Sequence, residues 1–269
     1  MITQHQDASL TLVGSGIKSI SHLTVEAKAY ITQAEKVLYL VNEPILQEWI
    51  EKQNPSAESL DKIYFKFPMR IDCYHAITNY ILETLKKPCH LCVVIYGHPC
   101  VFAQPGLNAA KQAKASGYDA RILPGISADA CLFSDLMINP ADCGLQSFEA
   151  TDFLIYKRDF STTSHLLLWQ IGSIGQLGHI KKSDYKNELQ VLIDYLCKTY
   201  PPSHQVTVYQ ASQYPHEPPT ISTHSLNKLC SAPITRLSTL YVPPVRKINC
   251  DNDMLETLGL SSFKAASCE

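Results

Sequence analysis

Apolar positions along this chain switch repeatedly between a period of two or a short continuous run and a period near 3.6. Leu10, Leu12 and Val13 read as a first strand, broken by Gly14–Ser15–Gly16. Leu23 to Ala34 has helical periodicity in good helix formers, and Val37 to Val41 is a second strand-like run. Asn42–Glu43–Pro44 then opens a helix through Trp49 and Ile50. Strand–helix–strand alternation of this kind predicts a parallel sheet. The pattern continues with Tyr74, Ile77, Ile81 and Leu85 on one helix face and a buried strand from Cys92 to Tyr96, ended by Gly97–His98–Pro99. Ala109 to Ala115 is an alanine-rich helix that Gly117 closes as a C′ residue. Arg121 to Leu123 is a strand ended by Pro124–Gly125, and Ser127 is placed to cap a helix running to about Leu136.

From Asn139–Pro140 to Gly144 the texture turns to loop residues. The expected division is therefore an N-terminal α/β domain over 1–138, a C-terminal α/β domain over 139–247 and a tail over 248–269. In the second half, Phe153 to Tyr156, Leu166 to Ile171, Val206 to Ala211 and Leu240 to Val242 read as strands. Leu189, Leu192, Ile193 and Leu196 mark its clearest helix. The tail is polar apart from a short helix-like Met254–Leu255–Leu258–Leu260, and no internal repeat or low-complexity segment is visible.

Composition narrows the functional classes. The 269 residues are 45% hydrophobic, enough for one large domain or two small ones. With 23 basic against 25 acidic residues and a net charge of -2, the chain has no basic excess to attract a nucleic acid. No apolar run reaches the roughly 18 residues of a membrane span, and Met1 to Ser9 lacks the layout of a signal peptide. A cytoplasmic protein with reduced thiols is expected. Among ten cysteines only Cys89 and Cys92 form a CxxC, with no second pair at zinc spacing, so a structural role and no metal are predicted.

Several residue groups are candidates for chemistry. Gly14 and Gly16 stand where a phosphate loop would, but position 19 is Ser rather than the third glycine of a dinucleotide fingerprint, so a tight turn is the preferred reading. Glu43 could serve as a ribose-binding acid, but it suits the start of a helix better. The turns Tyr96–Gly97–His98–Pro99 and Pro124–Gly125–Ile126–Ser127–Ala128 both follow strands, where open α/β sheets collect ligands. Arg70 and Tyr74 share a helix face if that helix begins just after Pro68, and Tyr64 lies a few residues before them. Taken by themselves, these three read as an exposed arginine beside two half-buried tyrosines.

The motifs LTLVGSGI, VVIYGHPCVF, ARILPGISADACLFSDL, QSFEATDFLI, LLLWQIG and STLYVPP occur in that order over residues 10–244. Together they resemble the tetrapyrrole-methylase superfamily of class III methyltransferases, and within it the borosin peptide backbone α-N-methyltransferases. YGHP and FEATDFL carry the resemblance to that branch. The resemblance implies an α/β fold of two domains, with a parallel sheet in the N-terminal half and a mixed sheet in the C-terminal half. S-adenosylmethionine would lie in the cleft between them and leave as S-adenosylhomocysteine. Tyr96, His98, Val101 and Phe102 would line the cofactor site from one loop, Ser127 and Ala128 from the next, and Gln170, Tyr209, Ala211, Ser238 and Thr239 from the second domain. The family's catalytic tyrosine–arginine–tyrosine set matches Tyr64, Arg70 and Tyr74 at the same spacing, with Tyr96 beside them.

An amide nitrogen is a poor nucleophile because its lone pair is delocalised into the carbonyl. Methylating it builds negative charge on the carbonyl oxygen as the N–H proton leaves. Tyr74 and Tyr96 would donate to or orient that oxygen, Arg70 would stabilise the charge, and Tyr64 would act as base or relay. A tyrosinate base requires a pKa well below about 10. The sequence departs from the family where Cys100 replaces the glycine that usually ends the YGHPG turn, so the loop must avoid positive φ there or strain to keep it. Cys100 itself is read as a small filler. Residues beyond Pro244 contain no apolar substrate peptide, so the resemblance points to split-type members that methylate a separate precursor, working as a homodimer, in a 2:2 complex with that precursor. Competing expectations are a C- or O-methyltransferase acting on a corrinoid or porphyrin, a non-catalytic peptide-binding partner, and a nicotinamide-binding Rossmann protein.

Overall fold

The computed structural model describes residues 5–179, 186–246 and 250–260. Two compact units emerge from the packing. The first comprises Met1–Asp135, Gln176–Lys181 and Ala211–Pro219, and the second Leu136–Gly175, Lys182–Gln210 and Thr220–Glu269.

In the first unit the order is β1 (His5–Gly14), α1 (Val25–Gln33), β2 (Lys36–Leu40), α2 (Pro44–Gln53), β3 (Glu58–Ser59), α3 (Asp61–Tyr64), α4 (Arg70–Leu85), β4 (His90–Ile95), α5 (Gln104–Ala115), β5 (Tyr118–Leu123) and α6 (Ala128–Asp135). The sheet runs β3-β2-β4-β1-β5 and every pairing is parallel. Its central strands are continuous apolar runs because both faces are covered. Leu38, Leu91, Val93 and Ile95 pack with Ile77, Ile81 and Leu85 of α4 and the alanines of α5. Val37, Tyr39, Cys92 and Val94 face the other way, against Ala27 and Ile31 of α1 and Leu46 and Ile50 of α2. Glu43 caps α2, accepting from the N–H groups of Ile45 at 2.8 Å and Leu46 at 2.7 Å, with Pro44 as the first helical residue.

The second unit continues with β6 (Leu145–Glu149), α7 (Ala150–Ile155), β7 (His165–Trp169), α8 (Lys186–Leu196), β8 (Gln205–Gln210), β9 (Thr220–Ser225), β10 (Thr239–Val242) and α9 (Asn252–Thr257). Its sheet, ordered β6-β7-β10-β8-β9, is mixed: β6 and β7 are parallel and the other pairs antiparallel. One face buries Leu166, Leu168, Val206, Val208, Leu240 and Val242 against Phe153 of α7 and Leu189, Leu192, Ile193 and Leu196 of α8. The α/β class with one parallel and one mixed sheet is thus as expected.

One expectation fails here. Phe153 to Tyr156 is not a strand but the end of helix α7 and its C-cap. Glu149 ends β6 and immediately caps α7, accepting from the Asp152 N–H at 2.7 Å. Four contiguous apolar residues carry no period, so the cap decides the conformation. The strands β3, β6 and β9 had no expectation, being short or polar. The tail expectation falls partly on residues 248–249 and 261–269, which lie outside the described residues. Among the described residues no helix is long and apolar enough to cross a membrane.

The helical register of α7 makes a sharp prediction. Phe153 is fully buried, with ring centroids of Phe160, Tyr195 and Phe148 at 5.2, 5.3 and 5.6 Å, whereas Ile155 is 63% exposed. A strand would put both on one face. Phe153→Ala is expected to cost about 3–5 kcal/mol in urea unfolding, and Ile155→Ala less than about 0.5 kcal/mol.

Candidate active site

The carboxyl edge of the parallel sheet is where the first unit brings its loops together. β1, β4 and β5 end side by side, and the turns after them meet backbone to backbone at glycine. A Cβ on Gly14 would lie 2.4 Å from the Gly97 carbonyl oxygen and 2.8 Å from the Gly125 Cα. A Cβ on Gly125 would lie 2.5 Å from the same oxygen. Gly16 and Gly97 exchange N–H···O bonds of 3.1 Å each, and the Ser15 N–H donates to Ile95 O at 2.8 Å. The turn after β1 therefore spends its N–H groups on the neighbouring loop rather than on a phosphate. Glu43 caps its helix, and neither feature supports a nicotinamide fingerprint.

The β4 loop carries Tyr96, His98, Val101 and Phe102. His98 organises it, accepting the Cys100 N–H on Nδ1 at 3.0 Å and the Val101 N–H on its carbonyl at 3.0 Å. The positive φ falls on Phe102 (+52°), not on Cys100, so the residue that departs from the family turn sits in ordinary backbone. Phe102 is half exposed, and a bulky residue in that conformation marks a constrained loop. Ser127 directly precedes α6 and Ala128 opens it, but the Ser127 hydroxyl does not cap the helix. It donates to the Asp129 carboxylate, which also accepts the Ala130 N–H at 2.8 Å.

Tyr64, Arg70 and Tyr74 come together. Tyr64 closes α3 and Arg70 opens α4. The Tyr64 and Tyr74 rings stack at 6.3 Å and 23°. A distant segment fixes the arginine: Arg70 N–H donates to Leu177 O at 3.1 Å, its guanidinium to Gln176 O, and Met69 bridges Gly178 in an antiparallel pair. His179 completes this clamp. Its N–H donates to Pro68 O at 3.2 Å, its ring meets Tyr64 edge-on at 4.8 Å, and Nε2 is 3.5 Å from Cys73 Sγ. Sequence reasoning missed Gln176 and His179, because they lie 106 positions after their partners Arg70 and Cys73.

Burial pushes the Tyr64 phenol up to about 12; Tyr74 adds to the rise and Arg70 opposes it. Burial also raises Tyr96. The shift is thus upward, in the direction that favours the protonated phenol beside the Arg70 guanidinium. Cys92, buried in β4, is likewise raised to about 12 by burial, as suits a packed thiol. Among the described residues, no group of three His, Cys, Asp or Glu side chains could hold a metal ion.

The remaining candidates occupy other places. Ala211 is buried in the segment that rejoins the first unit. Gln170, Tyr209, Ser238 and Thr239 belong to the second unit. Tyr209 pairs with Thr239, and Leu240 with Leu168, so the ladder brings Ser238 and Gln170 to the same end of that sheet. Gln170 has φ +59°, and Ser238 Oγ accepts from the Thr235 N–H at 2.9 Å.

A parallel α/β sheet with its candidate residues on the carboxyl-edge loops, followed by a mixed sheet, defines a class of two-unit α/β proteins. Comparison with known proteins gives the family. Residues 9–223 match the tetrapyrrole (corrin/porphyrin) methylases, and the chain belongs to that family. It is 37% identical over 262 residues to a protein of Gymnopus fusipes described as a methyltransferase and ribosomally synthesized cyclic gymnopeptides precursor, covering 96% of this chain and 62% of that one. It is 36% identical over 262 residues to the corresponding omphalotin A precursor of Omphalotus olearius, covering 96% and 63%. The chain thus spans under two thirds of the length of these relatives. Among solved structures, a diphthine synthase superposes with a TM-score of 0.65 at 15% identity (95% of this chain, 96% of that one). The uroporphyrin-III C-methyltransferase of Thermus thermophilus gives 0.63 at 18% (89% and 94%). These two likenesses concern the fold.

Two outcomes follow from the geometry. Gly125→Ala is expected to lower stability by about 1–3 kcal/mol in thermal unfolding, since backbone blocks the added methyl. Tyr64 binds its proton more tightly folded than unfolded, so its contribution to stability is complete below about pH 10 and is lost as pH rises toward 12. In an alkaline absorbance titration Arg70→Ala should move the Tyr64 transition, identified by its loss in Tyr64→Phe, to still higher pH.

Proposed function

We propose that the protein is an S-adenosylmethionine-dependent methyltransferase that α-N-methylates backbone amides of a ribosomally made peptide supplied in trans. The observation that carries this reading is the convergence of Tyr64, Arg70 and Tyr74. Two phenols, one of them held protonated, and a guanidinium can stabilise charge building on an amide oxygen. The curated relatives, named as methyltransferases joined to cyclic peptide precursors, supply the substrate class. Residues 245–269 hold no apolar run that reads as an acceptor peptide.

The carboxyl-edge loops fit the cofactor. Tyr96 and Phe102 offer aromatic faces to a purine, and the backbone of the Ser127 turn suits ribose or carboxylate. When bound, S-adenosylmethionine supplies an electrophilic methyl group and leaves as S-adenosylhomocysteine. The chain's own residues hold the acceptor. Tyr74 and Tyr96 donate to the amide oxygen, Arg70 balances the imidate-like charge, and Tyr64, protonated, supports Tyr74. Such donors act without reorganising as charge develops, so each is worth about 3–4 kcal/mol. We assign the active form to a cytoplasmic homodimer, with precursor bound in a 2:2 complex. The free thiols of the described cysteines suit a reducing compartment.

The test is intact-mass spectrometry of a separate precursor peptide incubated with the full chain and S-adenosylmethionine. Mass should rise in steps of one methyl group, which fragmentation locates to backbone amides. Arg70→Ala and Tyr74→Phe should lower kcat about 10²–10³-fold, with the cofactor Kd from calorimetry unchanged. A precursor left unmodified by a cofactor-binding enzyme would sink the peptide reading in favour of a tetrapyrrole-type acceptor. Methylation only of a peptide fused to the chain would sink the trans assignment.

A further inference from the structure

Tyr64 is not fixed by its own helix. α3 has four residues and no side-chain cap at Leu60, too little to hold a side chain by itself. Packing is what orients the phenol. Three rings meet it: His179 edge-on at 4.8 Å and 67°, Phe65 edge-on at 5.0 Å and 82°, and Tyr74 stacked at 6.3 Å and 23°. Phe65 is 67% exposed and braces Tyr64 only weakly. Tyr74 belongs to the same reacting set. His179, the nearest of the three, is brought from a distant part of the chain.

His179 is anchored through both backbone and ring. Its N–H donates to Pro68 O at 3.2 Å. Its Nε2 lies 3.5 Å from the Sγ of Cys73, a fully buried residue in the first turn of α4. The same sulfur donates to Phe67 O at 3.4 Å. A thiol has one proton and a carbonyl can only accept. Both contacts are therefore satisfied when the S–H goes to Phe67 O and the sulfur accepts from Nε2–H. That arrangement sets the tautomer of His179 and restrains the plane of its ring. Phe65 flanks the ring at 5.4 Å and 59°. Edge-to-face ring pairs are orientation-specific, so a restrained imidazole limits where the phenol can lie.

We propose that His179 is a positioning residue: a wedge, held by Cys73 and Pro68, that sets the Tyr64 phenol against Tyr74 and beside Arg70. Its effect on catalysis rests on the peptide-methylation reading; the wedge itself does not. The same short segment gives the carbonyls of Gln176 and Leu177 to Arg70, so residues 176–179 place both the charge and the phenol. Burial is the largest cause of the upward shift of Tyr64, and the imidazole is part of what buries it. Removing the ring should let water reach the phenol and lower its titration midpoint, opposite in sign to the effect of Arg70→Ala.

The experiment uses the full chain and the variants His179→Ala, His179→Phe, Cys73→Ala, Tyr64→Phe and Tyr64→Phe with His179→Ala. The Tyr64 transition is read by alkaline absorbance titration without substrate. Steady-state kinetics on the precursor peptide are read at saturating methyl donor. His179→Ala should move the transition to lower pH and reduce kcat about 2–10-fold, with KM for the peptide unmoved. His179→Phe keeps a ring and should restore most of both. Cys73→Ala loosens the ring without removing it, so it should give smaller changes in the same directions, and it carries the comparison if His179→Ala does not fold. In the Tyr64→Phe background His179→Ala should cost no further kcat, because both changes act through one phenol. An unmoved Tyr64 transition in both His179→Ala and Cys73→Ala overturns the wedge, as does a His179→Phe protein no better than His179→Ala. Additive losses of kcat in the double variant, or a loss confined to KM, overturn the positioning role. A wild-type protein inactive on the peptide removes the methylation reading, while the titration still decides the wedge.

Discussion

The contact on which the N-terminal unit depends is made by three glycines. Gly14, Gly97 and Gly125 bring the ends of β1, β4 and β5 to backbone contact, with no room for a methyl group on Gly14 or Gly125 and a left-handed φ of +70° at Gly97. A parallel sheet fixes the strands by its ladder, but it leaves the loops at the carboxyl edge free to splay. Here the Gly97 carbonyl lies against both of the other glycines, and Gly16 hydrogen-bonds to Gly97 in both directions. The Tyr96–Phe102 loop and the turn leading to Ser127 are thereby held at a fixed separation. A binding surface made of loops gains precision only when the loops are locked to one another in this way.

The electrostatics of the Tyr64 cluster follow from burial rather than from charge. Desolvation disfavours the phenolate of Tyr64 more strongly than Arg70 favours it, so the net shift is upward. A tyrosine beside an arginine can play two roles, base if its pKa is depressed and hydrogen-bond donor if it is raised, and the direction here favours the donor on which the proposed reaction relies. The arginine adds the positive field, and its own position is set by the carbonyl groups of Gln176 and Leu177.

Two segments from later in the chain therefore complete the N-terminal unit. Residues 176–179 clamp the start of α4, and residues 211–219 meet Glu43 through Tyr214. Neither forms a helix or a paired strand of the main sheet, so each depends on a few bonds to buried partners. Loops held by so few contacts are the first to open.

The sequence by itself determined the elements whose period is strong. β1, β2, β4, α2, α4, α5, β8 and α8 were legible because burial on both faces of a parallel strand, or on one face of a helix, leaves a pattern local to a few residues. Gly14 and Gly16 were legible as a turn, since the missing third glycine argued against a phosphate loop. Ordered motifs also pointed to the methylase family, and the spacing of Arg70 and Tyr74 put them on one helix face. The tertiary structure alone decided the rest. Phe153 to Tyr156 became helical because Glu149 caps it, a bond that four apolar letters do not encode. The loop avoids positive φ at Cys100 and takes it at Phe102, which the letters of the turn do not encode. The direction in which the Tyr64 phenol shifts depended on how deeply it is buried. His179 and Tyr214 were invisible for the same reason: their partners lie more than a hundred residues away, and sequence periodicity reports only what a residue shares with its near neighbours.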